Sequence, residues 1–255
     1  MPSPRHTPLE YMSPLVVFTG SGVSAESGIP TFRDKGGLWK SHRPEELATP
    51  SAFIRNPQLV WEFYNWRRNL VASCDPNPAH LTLAQIEIEI DDFSLITQNI
   101  DGLHQRAGNK NILELHGSLW ELRCTVCKKT RIDREIPEVF KIPTCNHCGE
   151  MMRPNVVWFG ERLDPEILRL ATKRASRART MLVIGTSALV YPANSLPMIA
   201  KNAGAHLIEV NPSKTPISPI MDLHLSGSSG EIIPSWWRSV RGNSLNSDKH
   251  LPLMP

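Results

Sequence analysis

The segment from residue 15 to residue 28 constrains the fold more strongly than any other part of the sequence. The apolar run Leu15–Thr19 stops at a glycine-rich turn, Gly20-Ser21-Gly22, which leads into a helix-like segment containing Ala25. This order predicts a buried strand, a tight turn and the start of a helix. The spacing Gly20-x-Gly22-x-x-Ala25 also fits the dinucleotide-binding fingerprint, in which glycines let the backbone approach a pyrophosphate beside a helix N-terminus.

The same glycines fit a simpler alternative, a tight turn that is needed only for packing. The dinucleotide fingerprint is usually completed by a carboxylate about 20 residues farther on, which binds a ribose hydroxyl. Glu45 and Glu46 directly follow Pro44 and do not lie at the end of a predicted strand, so the sequence does not place this carboxylate.

Short apolar segments alternate with helical segments along most of the chain. Helices are predicted after Asn77-Pro78 and after Asp164-Pro165, because a capping side chain followed by proline is typical of a helix start. Another helix is predicted around Ser195 to Asn202. This alternation indicates an α/β fold with a doubly wound, Rossmann-like parallel sheet. The predicted strands are Leu15–Thr19, Phe93–Thr97, Ile112–Leu115, Met181–Ile184 and Ala205–Val210.

Two stretches interrupt the alternation and are predicted to form a second, smaller domain. Residues 39–76 contain a helix that begins at Asn56-Pro57, and residues 121–156 contain four of the five cysteines. The larger, nucleotide-binding domain then comprises residues 1–38, 77–120 and 157–240. The remaining residues, 241–255, are polar and end in proline, which predicts a flexible tail.

The four clustered cysteines form two Cys-x2-Cys pairs with 17 residues between them. This spacing matches a tetrahedral four-thiolate zinc site, and four protein ligands leave no position for a catalytic water. We therefore predict a structural zinc ion. Redox-active pairs are the alternative, His147 is a competing ligand, and Cys74 is interpreted as a thiol in a loop. The predicted ligands are Cys124, Cys127, Cys145 and Cys148.

Composition excludes several classes of protein. Hydrophobic residues make up 40% and charged residues 21% of the 255 residues, which excludes a disordered or fibrous chain. No apolar run approaches the roughly 18 residues of a membrane helix, and the N-terminal residues lack the apolar core of a secretory signal. We therefore expect a cytoplasmic protein. The net charge of +3 does not by itself indicate nucleic-acid binding.

Polar side chains follow two of the predicted strands. The segment Gln98-Asn99-Ile100-Asp101 gathers two amides and a carboxylate after one strand, and His116 follows another. Open parallel sheets bind ligands beyond the carboxyl ends of their strands, and a histidine there is a candidate general base near neutral pH. The alternatives are amides that only close turns and a histidine with a structural role.

These motifs, taken in order, resemble the sirtuin family of NAD-dependent protein-lysine deacylases. The likeness extends from about Leu15 to about Ile233, with one departure: the family usually has alanine where this chain has Ser21. The matching segments are Gly20–Ser24, Gly28–Arg33, Thr97–Asp101, Leu115–Gly117, the four cysteines, Val157–Glu161, Gly185–Ser187 and Glu209–Asn211.

The resemblance implies a site where NAD and an acyl-lysine peptide meet in a cleft between the two domains. It implies that His116 is the general base and that Asn99 and Asp101 orient the nicotinamide end of NAD. The implied contacts with the substrate main chain are Val157, Trp158, Phe159 and Gly160 on one side and Val190 and Tyr191 on the other. The implied cofactor-binding residues are Gly20, Ser21, Gly22, Ser24, Ala25, Phe32, Arg33, Gln98, Asn99, Asp101, Gly185, Thr186, Ser187, Asn211 and Ser229.

The helix after Asn56-Pro57 carries Tyr64 and Arg67, which are three residues apart and therefore share one helical face. A hydroxyl and a guanidinium placed in this way can converge on a carboxylate. Aromatic and arginine side chains on such a helix also simply pack or pair with acids, so the spacing alone does not decide between the two interpretations. In the sirtuin branch that removes succinyl and malonyl groups, a Tyr-x-x-Arg pair at this place recognises the acid end of the acyl chain.

We therefore expect an NAD-dependent protein-lysine deacylase with structural zinc. It would remove succinyl, malonyl and acetyl groups from acyl-lysine proteins or peptides and give nicotinamide and O-acyl-ADP-ribose. A protein ADP-ribosyltransferase is one alternative, and a non-enzymatic zinc-ribbon regulator that binds nucleic acid is another. The near-neutral charge and the candidate base argue against the regulator. Membrane association is not indicated, and the sequence leaves the oligomeric state open.

Overall fold

The structure, a computed structural model, describes residues 12–31, 43–136 and 141–246. Nine strands lie in this part of the chain, and they form two sheets. The strands are β1 (Leu15–Thr19), β2 (Phe93–Thr97), β3 (Ile112–Glu114), β4 (Gly117–Cys124), β5 (Thr130–Ile132), β6 (Met152–Val156), β7 (Thr180–Ile184), β8 (His206–Asn211) and β9 (Leu223–Ser226).

The main sheet has six strands in the order β3-β2-β1-β7-β8-β9, and every neighbouring pair is parallel. From β1 the chain moves outward on one side through β2 and β3, and then on the other side through β7, β8 and β9. The direction of winding therefore changes between β1 and β7, and sheets of this kind bind ligands in the crevice that opens there. The predicted doubly wound α/β fold is confirmed.

The helices begin where the sequence predicts capping side chains. The Asn77 side chain accepts a hydrogen bond from the N–H of Ala79 at 3.0 Å, and Asp164 accepts one from Glu166 at 2.8 Å. Proline follows each cap, at a position where its missing N–H costs nothing. The helices are α1 (Pro44–Leu47), α2 (Pro50–Arg55), α3 (Pro57–Ala72), α4 (Pro78–Glu89), α5 (Leu103–Ala107), α6 (Pro165–Ala175), α7 (Leu196–Asn202) and α8 (Ser229–Asn246), with short 3-10 helices at Ser21–Ser27, Ala193–Ser195 and Ser218–Ile220.

Helices cover both faces of the main sheet. Leu83 of α4 and Trp237 of α8 are buried against one face, and Ala171 of α6 and Leu196 of α7 are buried against the other. Because both faces are covered, the strands need apolar side chains on both sides, which explains why they appear in the sequence as continuous apolar runs.

The helical insert and the cysteine-bearing segment share a separate hydrophobic core. The strand order of their small antiparallel sheet is β5-β4-β6. Trp61 of α3 is fully buried in this core, and its indole N–H donates to the carbonyl of Met152 in β6 at 2.9 Å. Leu119 and Leu122 of β4 pack in the same cluster. The two interrupting stretches thus lie together, while the exact domain boundaries stay a prediction.

Helix α8 extends farther than the sequence indicates. It continues through Asn246, so residues 241–246, which belong to the predicted tail, are helical, while the flexibility of the tail stays a prediction. The buried Trp237 and an ion pair of 3.3 Å between Arg241 and Glu89 of α4 hold the helix against the rest of the domain as far as residue 241. Residues 247–255 lie outside the described part of the chain. Within the described residues, no helix is both long enough and apolar enough to cross a membrane.

Candidate active site

A cavity of about 980 Å³ opens at the carboxyl ends of the main sheet. Loops that follow five different strands contribute to its wall: Gly20 follows β1, Gln98 follows β2, His116 lies beyond β3, Gly185 follows β7, and Asn211 ends β8. The cavity therefore occupies the crevice that the change of winding direction predicts.

The two glycine-containing turns on either side of this crevice pack backbone against backbone. The N–H of Gly22 donates to the carbonyl of Gly185 at 2.8 Å. A Cβ atom on Gly22 would lie 2.7 Å from the Cα of Gly185, and one on Gly20 would lie 2.7 Å from the Cβ of Thr186. The segment after Gly20 is a seven-residue 3-10 helix and not the predicted start of a longer helix. The glycines thus serve close packing, and the same turn also lines the cavity.

The Ser24 hydroxyl is the centre of a buried network that orients two predicted site residues. It donates to Oδ2 of Asp101 at 2.8 Å and accepts from Nδ2 of Asn99 at 3.1 Å. The same oxygen lies 3.3 Å from Nε2 of His80, whose Nδ1 is 3.3 Å from the N–H of Asn77. Because Nδ1 accepts, Nε2 carries the hydrogen and donates to Ser24. Asn99 and Asp101 are therefore held in place by side chains from separate elements.

His116 lines the cavity with one ring nitrogen engaged in the protein. Its Nδ1 lies 2.9 Å from the carbonyl oxygen of Gln98, and because a carbonyl only accepts, Nδ1 carries the hydrogen. Nε2 is then the basic nitrogen of the neutral ring. Burial lowers the pKa of His116 from its ordinary value of 6.5, although the hydrogen bond to Gln98 opposes the shift. The ring is neutral at pH 7, as a general base requires.

Two further histidines, His80 and His104, lie behind the site with their ring centroids 4.8 Å apart. Burial lowers the pKa of His80 to about 4, and it lowers the pKa of His104 well below the ordinary value. Both rings are therefore neutral in the folded protein at pH values where an unfolded chain already protonates its histidines.

We expect the protein to lose stability as the pH is lowered from about 7 to about 5. Unfolding takes up protons at His80 and His104 in this range, because their pKa values are lower in the folded state than in the unfolded state. Each histidine then reduces the free energy of unfolding by up to about 1.4 kcal/mol per pH unit. Denaturant unfolding at the two pH values measures the effect, and equal or greater stability at the lower pH would contradict it.

The small domain contributes Tyr64 and Arg67 of α3 to the cavity wall. Each residue is only 4% exposed. The indole N–H of Trp158 donates to the Tyr64 hydroxyl oxygen at 2.8 Å, so the hydrogen of that hydroxyl is left to donate to a different acceptor. Burial raises the pKa of Tyr64 to about 12, and the phenol therefore keeps this hydrogen at neutral pH. Both side chains therefore line one cavity, and their role in binding a carboxylate stays a prediction.

Trp158 is itself held by Arg153 and Glu161. The guanidinium of Arg153 lies 3.4 Å from the centre of the Trp158 ring, and it donates two hydrogen bonds of 2.7 Å to the Glu161 carboxylate. Glu161 also accepts the backbone N–H of Trp158 at 2.9 Å. Trp158, whose ring contacts Tyr64, is therefore fixed both at its backbone N–H and at the face of its ring.

Arg68, the residue after Arg67, does not line the cavity in the described part of the chain, as the step of about 100° per helical residue requires. It is not a solvent-facing side chain, however. It donates to the carboxylate of Asp133 at 2.8 Å and to the carbonyl of Glu135 at 3.0 Å. Arg68 thus ties α3 to the segment after β5, and its replacement would disturb the small domain.

The four predicted metal ligands come together at one end of the small sheet. Their sulfur atoms all lie within 4.8 Å of one another, and two of the separations are 3.4 Å and 3.6 Å. Four sulfurs about 2.3 Å from a tetrahedral zinc ion would be about 3.8 Å apart, and no disulfide joins them. The cluster fits structural zinc, and Cys74 lies apart from it. The ligands are Cys124, Cys127, Cys145 and Cys148.

Most of the other predicted site residues lie in the cavity wall, and a few do not. Ala25 does not line the cavity in the described structure, and neither does Ser229, whose hydroxyl lies 3.3 Å from the Glu26 carboxylate. Phe32 and Arg33 lie outside the described residues. Ser24 and Asp101 line a small adjoining pocket. The predicted residues in the main wall are Gly20, Ser21, Gly22, Tyr64, Arg67, Gln98, Asn99, His116, Val157, Trp158, Phe159, Gly160, Gly185, Thr186, Ser187, Val190, Tyr191 and Asn211.

The segment 157–160 is not a strand, although the resemblance implies that it pairs with substrate main chain. β6 ends at Val156, and the next N–H, that of Val157, donates to the carbonyl of His116 at 2.9 Å. The N–H of Phe159 donates to the carbonyl of Ala48 at 2.9 Å. Because the N–H groups of Val157 and Phe159 have partners within the protein, these two groups are not available to pair with a peptide.

Several parts of the site were not found from the sequence, among them a loop and a histidine. Residues 212–216 line the cavity after β8, and the rule that ligands bind beyond strand ends could have found them. His80 was also missed. It lies three residues after the cap Asn77, where the sequence signal describes only a helix start, and nothing in the spacing brings it near Ser24.

Comparisons with known proteins agree with this geometry. A model described as the Sir2 family matches residues 20–192. The NAD-dependent protein deacylase of Aquifex aeolicus (strain VF5) is 53% identical over 210 residues, which cover 82% of this chain and 88% of that protein. A solved complex of a Sir2 homologue with NAD has 48% identity and a TM-score of 0.85, and the match covers 90% of each chain. A solved Sir2 structure with a deacetylated p53 peptide and 3′-O-acetyl-ADP-ribose has 35% identity and a TM-score of 0.79, with 91% of this chain and 96% of that chain covered.

Proposed function

Since this chain belongs to the Sir2 family and is an NAD-dependent protein-lysine deacylase, we propose that it removes succinyl and malonyl groups from lysine, and acetyl groups as well. The observation that carries the proposal is the pair formed by Tyr64 and Arg67, a hydrogen-bond donor and a cation in one wall of the cavity. A cytoplasmic location stays a prediction.

The chain supplies a base and the groups that position the reactants. NAD, when bound, supplies the ribose carbon that receives the acyl oxygen and the nicotinamide that leaves. In our proposal Nε2 of His116 removes a proton from a ribose hydroxyl, because its other nitrogen is fixed by Gln98 and its lowered pKa keeps the ring neutral. Asn99 and Asp101, both bound to Ser24, orient the nicotinamide end of the cofactor.

A succinyl or malonyl group ends in a carboxylate, and a buried carboxylate must be paired. Arg67 offers a guanidinium, which stays charged in proteins, and Tyr64 offers the hydrogen that its contact with Trp158 leaves available. Both side chains are almost fully buried, so water does not weaken these contacts as it would at the surface. An acetyl group has no acid to bind and gains nothing from the pair.

Replacing Arg67 with methionine tests this proposal. A charge-assisted contact of this kind contributes about 1.5–3 kcal/mol, which is roughly a ten- to hundredfold change in binding. We expect the KM for a succinyl-lysine peptide to rise by that factor, and the ratio of succinyl to acetyl kcat/KM to fall with it. Initial rates on two peptides that differ only in the acyl group measure the ratio.

Arg169→Met is the matched control. Arg169 lies on α6 with its side chain 60% exposed and pairs with Glu166, and it does not line the described cavity wall, so its replacement should leave the ratio at the wild-type value. Equal losses on both substrates in Arg67→Met would mean that Arg67 supports the fold or the cofactor site. No loss on either substrate would leave an ordinary deacetylase.

A further inference from the structure

The loop that follows β8 is fastened by a buried carboxylate, that of Glu209. Glu209 lies within β8 and is 1% exposed. One of its oxygens accepts a hydrogen bond from the Thr215 hydroxyl, and the other accepts one from the Ser218 hydroxyl. That second oxygen also lies 2.8 Å from Nδ1 of His224 in β9. Glu209 and these three partners are called the Glu209 clasp below.

The clasp fixes the shape of a segment that forms part of the cavity wall. Residues 211–216 line the cavity, and Thr215 is both the last but one of them and a member of the clasp. The N–H of Thr215 donates to the Ser218 hydroxyl oxygen at 2.7 Å, which ties the two loop members of the clasp to each other. The loop that leaves β8 is therefore bound back to the strand it has just left.

The burial of Glu209 explains why this loop has one favoured shape. A carboxylate out of contact with water is costly unless its oxygens are paired, and the partners found here all lie in residues 215–224, after the strand. A loop conformation that moved Thr215 and Ser218 away would leave the charge with fewer hydrogen bonds. The energy of the buried carboxylate is thus linked to the position of the cavity wall.

We propose that Glu209 is a positioning residue for NAD binding, which acts through Thr215 and the wall segment 211–216. Glu209 does not line the cavity in the described structure, so it does not bind the cofactor itself. The inference rests on NAD occupying this cavity, and it is independent of which acyl group the enzyme removes.

A second carboxylate in the same chain provides a matched comparison. Glu87 of α4 accepts the N–H of Lys110 at 3.0 Å, the N–H of Asn111 at 2.7 Å and the Asn109 side chain at 2.7 Å. It therefore also fastens a loop, although from a half-buried position and mainly through backbone N–H groups, and residues 109–111 are absent from the cavity wall as described. If such a carboxylate has only a structural role, its replacement should have the same effect on NAD binding at both places.

The experiment compares Glu209→Gln with Glu87→Gln in the full-length protein. Glutamine has the size of glutamate, but its amide nitrogen cannot accept from a hydroxyl, so the clasp loses one bond and its charge. Titration calorimetry with NAD, and separately with ADP-ribose, measures binding without turnover. We expect the Kd for both ligands to rise roughly three- to tenfold in Glu209→Gln and less than about twofold in Glu87→Gln, while thermal unfolding shows a lower Tm in both.

Kinetics supply a second readout that a general loss of stability would not move. The KM for NAD should rise in Glu209→Gln, whereas the KM for peptide at saturating NAD should change much less. Wild-type affinity for NAD in Glu209→Gln, or the same loss in Glu87→Gln, would overturn the proposal.

Ser218→Ala keeps the proposal testable if Glu209→Gln does not fold. Ser218 is outside the described cavity wall. Its replacement removes the hydrogen bond to Glu209 and the one that Ser218 accepts from the N–H of Thr215, while His224 stays beside the same carboxylate oxygen and Thr215 beside the other. We expect a smaller rise in the Kd for NAD, and less than additive effects when both substitutions are combined, because the two residues act through one contact. An unchanged Kd in Ser218→Ala would contradict the role of the clasp.

Discussion

We expect replacement of His116 with tyrosine to abolish acyl removal while most of the affinity for NAD remains. General-base catalysis by a positioned histidine contributes about 10²- to 10⁴-fold, so kcat should fall by at least about a hundredfold. The ring lines the cavity but is held by Gln98 from the protein side, and the tyrosine keeps an aromatic ring there without the basic nitrogen. Nicotinamide release measures turnover, and calorimetry with NAD measures binding.

The wild-type pH profile provides an independent check on the same residue. Because burial lowers the pKa of His116, kcat/KM should stay level on the acid side until the pH is below the ordinary histidine value of 6.5, and should fall only there. If the tyrosine variant turns over within a few-fold of the wild type, His116 is not the base.

We expect removal of the zinc, or replacement of Cys145 with serine, to unfold the small domain. A structural four-thiolate site is formed only in the folded state, so its apparent binding energy of roughly 10–16 kcal/mol contributes to folding. Cys145 and Cys124 are buried in the core that contains Trp61 of α3. We expect the loss to spread from the cysteine cluster to the helix that carries Tyr64 and Arg67. Circular dichroism, the thermal midpoint and solubility measure the effect, before and after a chelator.

The metal content itself decides between zinc and the other interpretations of the cysteines. Purified protein should contain one zinc ion per chain. Cys74→Ser should keep that content, since Cys74 lies outside the cluster. Well under one zinc per chain in the wild type would show that the four-thiolate interpretation is wrong.

Much of the fold was predictable because it depends on local patterns. Asn77 and Asp164 cap the helices they precede, and the buried strands are the apolar runs of the sequence. The cysteine cluster was predictable for a similar reason, because two short pairs restrict the geometry of the ligands. In each case neighbouring residues determine the structure.

The parts that could not be predicted depend on contacts between distant segments. No spacing rule brings His80 to Ser24, which is 56 residues away, or Trp158 to Tyr64, which is 94 residues away. The 3-10 helix after Gly20 is another case. Gly20 and Gly22 are needed because the backbone of Gly185, which is distant in the sequence, approaches them closely. Helix α8 extends past residue 240 because Trp237 is buried against the sheet.

The order of strands explains why the main cavity was nonetheless found. Gln98 and His116 are predicted at the site because each follows a strand, and parallel strands end at the same edge of their sheet. Gly185 is predicted there only by the resemblance to the sirtuin family. Tyr64 and Arg67 could be placed on one helical face from spacing, but their position beside the cavity depends on how the small domain packs.

The acyl preference is the central claim, and one measurement tests it most directly: kcat/KM for acetyl-, malonyl- and succinyl-lysine forms of a single peptide, with labelled NAD as the cofactor. Because Tyr64 and Arg67 lie in the cavity wall, we expect kcat/KM for the malonyl- and succinyl-lysine peptides to be about tenfold or more above that for the acetyl-lysine peptide. The label should be released on acyl-ADP-ribose. Acetyl-lysine hydrolysed as well as or better than both acidic forms would contradict the carboxylate-binding role of the pair, and label retained on the protein would indicate ADP-ribosyl transfer instead.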